Sequence, residues 1–262
     1  MTEIIYDCPV CRDGGFLHPR KEDGKPDYSK LISCKCREAE ILANRNARLL
    51  ELCNLPFGTE SWTLDNYETD KRWPSLAEAK QAAIDYAGNA GEAEWLILMG
   101  KRDTGKTHLA IGICRRWLIK GKAAKYILVP QMLDDLREGY SQDRRREASY
   151  RRDQEAGLSG DWGELPYEAQ MRMLKDVDLL VLDDLGAQVP TPWAMEKIMM
   201  IIDHRYINGL PLVVTTNKPL NKLPGDAEGR IGSRLLRFQA SKIITLASDE
   251  YRTWRRKEKR ND

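Results

Sequence analysis

The sequence predicts an α/β protein in which helices flank a five-stranded parallel sheet and a small cysteine-bearing module comes first. Two observations predict the sheet. Five short apolar segments alternate with helical patterns between Trp95 and Leu246, and some contain uninterrupted apolar runs, such as Leu179–Leu182 and Leu212–Val214, which are typical of strands covered on both faces. The third observation is that four of the six cysteines lie among the first 36 residues. We therefore expect one substantial domain with a small N-terminal appendage.

Composition and charge narrow the class of protein before any motif is considered. The chain has 262 residues, of which 31% are charged, and a formal net charge of +2. No apolar stretch reaches the roughly 18 residues that a membrane-spanning helix needs, and the N-terminus lacks the basic and apolar regions of a secretion signal. We expect a soluble intracellular protein without a membrane partner.

The N-terminal cysteines form two pairs, Cys8 with Cys11 and Cys34 with Cys36. In a reducing cytosol such close pairs favour metal binding over a disulfide, and thiolates so spaced can turn onto one tetrahedral Zn²⁺. The segment between the pairs has too few apolar residues to fold without such a cross-link. Free thiols or a redox pair are the alternative, and His18 could replace one thiolate. We predict structural zinc bound by the four cysteines.

A linker helix is predicted to lead out of this module. Its apolar residues recur at helical spacing over Arg37–Leu52, and the segment Asn54–Gly58, which contains proline and glycine, ends it. We place the domain boundary there, which gives a zinc-binding module with its linker helix over residues 1–54 and a second domain over residues 55–262. Ser75 is expected to cap the first helix of the second domain.

A glycine-rich loop lies between the first apolar strand and an amphipathic helix. It reads Gly100-x-x-x-x-Gly105-Lys106-Thr107, a pattern typical of loops whose backbone N–H groups hold phosphate. Lys106 can reach the β- and γ-phosphates, and the Thr107 hydroxyl can bind Mg²⁺. This pattern predicts a P-loop nucleotide-binding domain. The residues expected to contact the nucleotide are Gly100, Lys101, Arg102, Asp103, Thr104, Gly105, Lys106, Thr107 and His108.

Five segments are predicted to form the sheet, with helices between consecutive members. They are Trp95–Met99, Ala124–Val129, Asp178–Leu182, Leu212–Thr216 and Lys242–Leu246. One connection is unusually long, because residues 130–177 separate the second strand from the third. Its middle, Gln142–Glu164, is rich in arginine and polar residues, and a loop of that length is either functional or loosely ordered.

Paired carboxylates end the third predicted strand, which reads Asp178-Leu-Leu-Val-Leu-Asp183-Asp184. In a parallel sheet this strand end lies beside the glycine loop, so Asp183 can hold Mg²⁺ while Asp184 orients an attacking water. A polar turn at the end of a strand is the alternative, although it explains one aspartate better than two. Asn217 ends the next strand, where its amide could touch the γ-phosphate or simply terminate the strand.

Arginines precede the last predicted strand, in the segment Gly229-Arg-Ile-Gly-Ser-Arg-Leu-Leu236. They are either surface charges or, for one of them, a finger that reaches phosphates bound by a neighbouring subunit. The residues alone leave both interpretations open.

Taken together, residues 60–251 closely resemble the AAA+ ATPases of the DnaC-type helicase-loader family, which also contains the transposition helper IstB. The motifs that carry the resemblance are Gly100–Ala110, Asp178–Gly186, Trp193–Tyr206, Val213–Asn217 and Arg230–Leu235. The resemblance implies an AAA+ P-loop NTPase. Because the chain ends at Asp262, soon after the fifth strand, we expect no C-terminal lid domain.

The resemblance implies a role for each matching residue. The implied assignments are Lys106 and Thr107 as the phosphate-loop pair, Asp183 and Asp184 as the metal and water carboxylates, Asn217 as the first sensor, Arg234 as the finger acting in trans, and Arg230 as a second, weaker candidate. Many AAA+ proteins have glutamate where this chain has Asp184, so hydrolysis of ATP is expected to be slow.

The resemblance also implies partners. Zinc-containing loaders use their N-terminal module to contact a hexameric replicative helicase, and IstB-like helpers generally lack such a module. The chain is therefore interpreted as a loader of that helicase onto single-stranded DNA, with ATP controlling assembly of a homo-oligomer, in the cytoplasm of a bacterial or phage-infected bacterial cell. The alternatives are an IstB-like helper of a transposase and a zinc-bearing adaptor that binds ATP without turnover.

The same resemblance implies a function for the long connection between the second and third strands. In the initiator and loader branch, an insertion between the second and third strands lines a channel for single-stranded DNA. The insertion here, at about residues 140–165, contains arginines and aromatic residues, the combination that single-strand binding needs. These are Arg144, Arg145, Arg146, Arg151, Arg152, Tyr140, Tyr150 and Trp162. A solvated loop is the alternative, and the basic segment Trp254–Lys257 is a less specific candidate for DNA contact.

Overall fold

The computed structural model describes residues 7–89, 94–155, 166–226, 229–237 and 241–249, and only the backbone at residues 39, 146–155, 166 and 237. The chain divides into two compact units, Met1–Glu51 and Leu52–Asp262. The predicted division after residue 54, with a separate function for each part, stays a prediction. Within the described ranges, no helix is both long enough and apolar enough to span a bilayer.

The N-terminal unit has two short strands before its helix. Strands β1 (Phe16–Leu17) and β2 (Ile32–Ser33) pair antiparallel, and helix α1 follows at Lys35–Cys53. The Cys34 carbonyl accepts the N–H of Arg37 at 3.0 Å. This bond starts the first helical turn inside the second cysteine pair, which is earlier than the apolar pattern indicated.

The second unit is built around a sheet of five strands. In chain order its elements are α2 (Pro74–Gly88), β3 (Trp95–Gly100), α3 (Lys106–Ile119), β4 (Ala124–Leu128), α4 (Val129–Glu155), α5 (Pro166–Asp176), β5 (Leu179–Leu185), α6 (Pro192–Ile207), β6 (Leu212–Thr216), α7 (Arg230–Arg237) and β7 (Ser241–Leu246). The strands pair in parallel in the order β4-β5-β6-β3-β7. The predicted fold class, a helix-flanked parallel sheet of five strands, is confirmed.

Burial explains why the strands are apolar along their length. Leu96–Leu98 of β3 and Leu179–Leu182 of β5 are fully buried, as expected of strands with helices on both faces. The pairing of Met99 with Thr216 aligns the end of β3 with the end of β6. The carboxyl ends of the central strands therefore meet at one edge of the sheet, where the chain of each strand turns into a loop.

Helix α2 begins in a different way from that predicted. Pro74 occupies its first turn, where a missing N–H costs little, and Ser75 lies inside the helix rather than at the cap. The Ser75 hydroxyl donates to the Ala247 carbonyl at 3.1 Å and accepts the Ala247 N–H at 3.0 Å. The capping prediction was wrong because this side chain joins the helix to the segment after β7.

The arginine-rich connection is helical over most of its predicted length. Helix α4 has 27 residues and continues to Glu155, and α5 resumes at Pro166. Its arginines and glutamates are good helix formers, and pairs four residues apart, such as Gln142 with Glu138 at 3.1 Å, support the exposed face. Of the two alternatives, the loosely ordered loop is not supported for residues up to Glu155, and Trp162 lies outside the described residues.

A buried arginine forms hydrogen bonds at the other edge of the sheet, where strands β5 and β6 begin. Arg205 of α6 is fully buried and donates to five backbone carbonyls at 2.6 to 3.3 Å. The acceptors are Leu174, Lys175, Val177, Asp178 and Pro211. One side chain thus joins the end of α5 to the segments that lead into β5 and β6.

Candidate nucleotide-binding site

The glycine loop joins β3 to α3 in a conformation that requires glycine at two points. Gly100 and Gly105 have φ angles of 154° and 88°. A Cβ on Gly100 would collide with the Leu246 carbonyl oxygen, and one on Gly105 would lie 2.5 Å from the Tyr67 ring. Helix α3 starts directly after the loop at Lys106, and the N–H groups of a first helical turn lack intrahelical partners and can bind an anion.

The side chain of Lys106 turns back onto the glycine loop that precedes it in the sequence. Its side chain donates to the carbonyl oxygens of Gly100 at 3.0 Å and Lys101 at 2.6 Å, and the residue is only 6% exposed. Burial lowers the pKa of Lys106, an effect that the nearby carboxylates of Asp184 and Asp183 oppose. A positive group is therefore held at the place where the sequence predicts phosphate.

Hydroxyl groups from three different elements surround the carboxylate of Asp183. Its Oδ1 accepts from Thr215 at 2.6 Å and its Oδ2 from the Tyr126 phenol at 2.7 Å. The Thr107 hydroxyl lies 3.2 and 3.1 Å from the same two oxygens. Thr107 and Asp183, the two residues predicted to bind Mg²⁺, are thus brought together, and hydroxyl and carboxylate oxygens are the ligands that Mg²⁺ prefers.

Asp184 and Asn217 also meet at the sheet edge. The Asn217 amide donates to Oδ1 of Asp184 at 2.6 Å, and the Asp184 N–H donates to the Thr215 hydroxyl at 2.9 Å. Asp184 has a φ of 57°, where β5 shifts its register against β6. Burial, and after it the charge of Asp183, raises the pKa of Asp184. The carboxylate therefore lies in an environment that favours its protonated form more than water does.

A cavity of about 620 Å³ contains these groups, a volume within the range typical of small-molecule sites. The predicted residues that line it are Arg102, Asp103, Thr104, Gly105, Lys106, Thr107, His108, Asp183, Asp184 and Asn217. Gly100 and Lys101, which were also predicted to contact the nucleotide, are not among the lining residues. Their carbonyl oxygens instead accept hydrogen bonds from the Lys106 side chain.

Aromatic residues before α2 form another wall of the cavity, which the motifs did not indicate. Trp62 stacks on His108 with ring centroids 5.4 Å apart, and the Tyr67 phenol donates to the Thr104 carbonyl at 3.1 Å. The Thr63 carbonyl lies 2.8 Å from Nε2 of His108. Residues 62–67, which belong to none of the sequence motifs, therefore hold the glycine loop and the start of α3 in place.

Arg234 lies apart from the groups listed so far. It is on α7, where its Nε donates to Asp203 at 2.6 Å and its guanidinium lies 5.1 Å from the centre of the Tyr206 ring. It does not line the cavity. The same chain thus does not bring Arg234 to its own predicted nucleotide site, and its role as a finger stays a prediction about a neighbouring subunit.

The four N-terminal cysteines form a separate cluster in the first unit. All four Sγ atoms lie within 4.8 Å of one another, with Cys11 and Cys36 at 3.4 Å and Cys8 and Cys34 at 3.8 Å. Zn–S bonds of about 2.3 Å place tetrahedral sulfurs about 3.8 Å apart, so these distances suit a metal and exceed a disulfide bond. The cluster is a possible metal site.

The surroundings of the cluster also fit metal ligation. The Gly15 N–H donates to Sγ of Cys11 at 3.3 Å, a contact that is common for sulfurs that bind metal. His18 is not part of the cluster, since its Nδ1 lies 2.8 Å from the Lys30 carbonyl. The alternative in which His18 replaces a thiolate is therefore not supported by the positions of these side chains.

Comparisons with known proteins bear on the class of this chain. No protein-family model matches it. It is 26% identical over 196 residues to the replicative helicase loader DnaC of Escherichia coli K12, an alignment that covers 74% of this chain and 70% of that protein. It is 25% identical over 234 residues, 86% of this chain and 81% of the relative, to a protein of insertion sequence IS5376 from Geobacillus stearothermophilus that is described as ATP-binding.

Solved structures share the fold. A crystal structure of the DnaC helicase loader matches 73% of this chain and all of its own length with a TM-score of 0.57 at 19% identity. The replication initiator DnaA bound to AMPPCP and single-stranded DNA matches 79% of this chain, but only 56% of its own, with a TM-score of 0.56 at 20% identity. At such identities these two likenesses support the fold alone.

With its strand order, its glycine loop and its paired aspartates, the chain has the fold of an AAA+ P-loop protein. In sequence it is similar to proteins of the DnaC/IstB type, the resemblance that its motifs indicated.

Proposed function

We propose that this chain is an ATP-dependent loader that places a replicative DNA helicase on single-stranded DNA when replication begins. The observation that carries the proposal is the 26% identity to replicative helicase loaders over 196 residues. The site supports it, because the groups needed to bind and slowly hydrolyse a triphosphate lie around one cavity.

The glycine loop and Lys106 bind the phosphates of ATP, and Thr107 and Asp183 hold Mg²⁺. Bound there, the ion would neutralise charge on the β- and γ-phosphates. Asp184, whose carboxylate is held by the Asn217 amide, orients the water that attacks the γ-phosphate. Because an aspartate reaches less far than the glutamate of many relatives, we expect slow turnover and a nucleotide that serves mainly as an assembly switch.

Arg234 completes the site of a neighbouring subunit in an ATP-dependent homo-oligomer. Its position outside its own cavity supports action in trans. To reach a neighbour's γ-phosphate, the guanidinium must exchange its bond with Asp203 for the phosphate. That exchange is electrostatically reasonable, since a partly exposed ion pair is worth only about 1 kcal/mol or less.

The cysteine cluster binds structural Zn²⁺, and the N-terminal unit docks the helicase. Apolar side chains are exposed along α1, notably Ile41 at 50% and Leu42 at 54%. Exposed apolar residues grouped on one element are a common feature of protein interfaces. They are consistent with a protein partner for this unit.

Single-stranded DNA is proposed to contact α4. Arg144 and Arg145 are exposed there, and Tyr140, at 44% exposure, offers a ring for base stacking. Replacing Arg144 and Arg145 by alanine is expected to reduce the slope of the salt dependence of single-stranded DNA binding by roughly 1.4, about 0.7 for each phosphate contact. An unchanged slope would remove α4 from the DNA site. The other arginines of the insertion and the basic segment 254–257 stay predictions, since their side chains lie outside the described residues.

Co-purification with candidate hexameric helicases, with and without a non-hydrolysable ATP analogue, tests the function. We expect a complex whose yield depends on the analogue and is lost in Lys106→Ala. The matched control is Lys222→Ala, which removes an exposed lysine outside the cavity. If no helicase is recovered with the wild-type chain in either condition, the loader function is wrong.

A specific observation favours one alternative, an ATPase helper of a DNA transposase. The relative from insertion sequence IS5376 is aligned over 81% of its length, more than the 70% for DnaC. Recovery of a transposase and duplex DNA, with no helicase, would favour this alternative. A zinc adaptor without turnover would instead be supported if Lys106→Ala and Asp184→Asn load helicase as well as the wild-type chain.

A further inference from the structure

A tyrosine on the edge strand of the sheet reaches the carboxylate that is proposed to hold Mg²⁺. Tyr126 lies on β4, which pairs only with β5 in the described sheet. Its phenol donates to Oδ2 of Asp183 at 2.7 Å, and the residue is 6% exposed. Neither the glycine loop nor any of the acidic and amide motifs contains it.

The two oxygens of Asp183 are held from both neighbouring strands. Tyr126 binds Oδ2 from β4, and Thr215 binds Oδ1 at 2.6 Å from β6. Both hydroxyls are buried, so water cannot readily replace them. A carboxylate fixed in this way cannot rotate about its last bond without losing a short hydrogen bond.

The third hydroxyl plays a different part. Thr107 lies at slightly longer distances of 3.1 and 3.2 Å and belongs to the phosphate loop, so it can turn to a bound ion. Tyr126 and Thr215 are anchored in the sheet and remain on the carboxylate.

We propose that Tyr126 is a positioning residue for Mg²⁺ binding, which it controls by fixing the rotamer of Asp183 through the buried hydrogen bond to Oδ2. The inference rests on the proposed function, since it needs a nucleotide site that takes Mg²⁺. Hydrogen-bond partners of metal-ligating side chains commonly contribute 10- to 100-fold to metal affinity. Loss of the Tyr126 hydroxyl is thus expected to lower the affinity for Mg²⁺ and to leave the affinity for nucleotide without Mg²⁺ unchanged.

The test is the variant Tyr126→Phe, which removes the hydroxyl and keeps the ring. A fluorescent ATP analogue is titrated into the protein at increasing Mg²⁺ concentration, and again in EDTA. We expect the Mg²⁺ concentration for half-maximal tightening to rise roughly tenfold, with the affinity in EDTA unchanged. The matched control is Tyr86→Phe. Tyr86 lies on α2, does not line the cavity, and has a buried phenol that donates to the Glu94 carbonyl at 3.2 Å. This control should keep the wild-type Mg²⁺ dependence.

Each other result has a definite meaning. A wild-type Mg²⁺ dependence in Tyr126→Phe overturns the inference, and so does an equal shift in both variants, because a general loss of stability would then explain it. Thr215→Val, made separately, should shift the Mg²⁺ dependence in the same direction, and it serves if Tyr126→Phe does not fold. A wild-type chain that binds no ATP analogue would overturn the proposed function itself, which distinguishes the two failures.

Discussion

Replacing Arg205 by methionine tests the account of how the sheet is held together. The guanidinium is fully buried and donates to five backbone carbonyls. Methionine replaces the aliphatic part of the side chain but has no donor, so these carbonyls lose a partner in an interior where water cannot replace it. Burial lowers the pKa of Arg205 to about 10, so the side chain is still charged at neutral pH in the wild-type protein.

The expected magnitude follows from the contacts. The two terminal nitrogens share four hydrogens among the five acceptors, so at about 1 kcal/mol for each N–H the loss is about 4 kcal/mol. Part of this is returned because a charged group no longer has to be desolvated. We therefore expect the free energy of unfolding to fall by about 3 kcal/mol, which for a domain of this size lowers the melting temperature by about 6–12 °C.

Thermal and urea unfolding of Arg205→Met measure this loss. The matched control is Arg116→Met, because Arg116 forms an ion pair with Asp65 in which the side chains are 41% and 73% exposed; this variant should lose less than about 1 kcal/mol. If Arg205→Met melts within about 2 °C of the wild-type protein, the five hydrogen bonds do not stabilise the fold and the reasoning fails. The nucleotide affinity of the folded variant should not change, since Arg205 lies away from the cavity.

Further experiments test the nucleotide site, the predicted finger and the cysteine cluster. Burial and the charge of Asp183 raise the pKa of Asp184. If Asp184 orients the attacking water as proposed, ATP hydrolysis should already decline, as the pH is lowered, at a pH above the ordinary aspartate pKa of about 3.9; a rate that stays constant down to that pH contradicts this. Arg234→Ala should lower hydrolysis by roughly 10³-fold or more but leave ATP binding intact, and unchanged hydrolysis would end its role as a finger. Elemental analysis of the wild type and of the control Cys114→Ser should give about one zinc ion per chain, and Cys8→Ser should lose it. A wild-type protein without zinc would refute the zinc site.

Local patterns were enough to predict the fold class and the main parts of the candidate site. The loop from Gly100 to Thr107 carries its glycines, lysine and hydroxyl within eight consecutive residues, and each apolar strand indicates its own burial. Asp183 and Asn217 were placed at strand ends, and in a parallel sheet such ends share an edge. Proximity at that edge therefore followed from the architecture without knowledge of any contact.

Other features depend on which elements become neighbours, and a single sequence does not reveal that. Tyr126 reaches Asp183 only because β4 pairs with β5, and the pattern Ala-Lys-Tyr-Ile-Leu indicates a strand without its partner. Ser75 was expected to cap a helix, but its hydroxyl binds Ala247, which is 172 residues away in sequence. Long-range partners of this kind override the local preference of a residue.

The two aspartates at the end of β5 are held in different ways, and this difference bears on how the site works. Asp183 is fixed by buried hydroxyls from β4 and β6, whereas Asp184 has a left-handed backbone and a carboxylate held by Asn217. Thr215 lies on β6 and Asn217 directly follows its last residue, so the positions of both donors depend on where β6 ends. A displacement of the end of β6 would move both donors together, and with them the carboxylate proposed for Mg²⁺ and the one proposed for water. If the site hydrolyses ATP, the end of β6 therefore connects metal binding to the orientation of the attacking water.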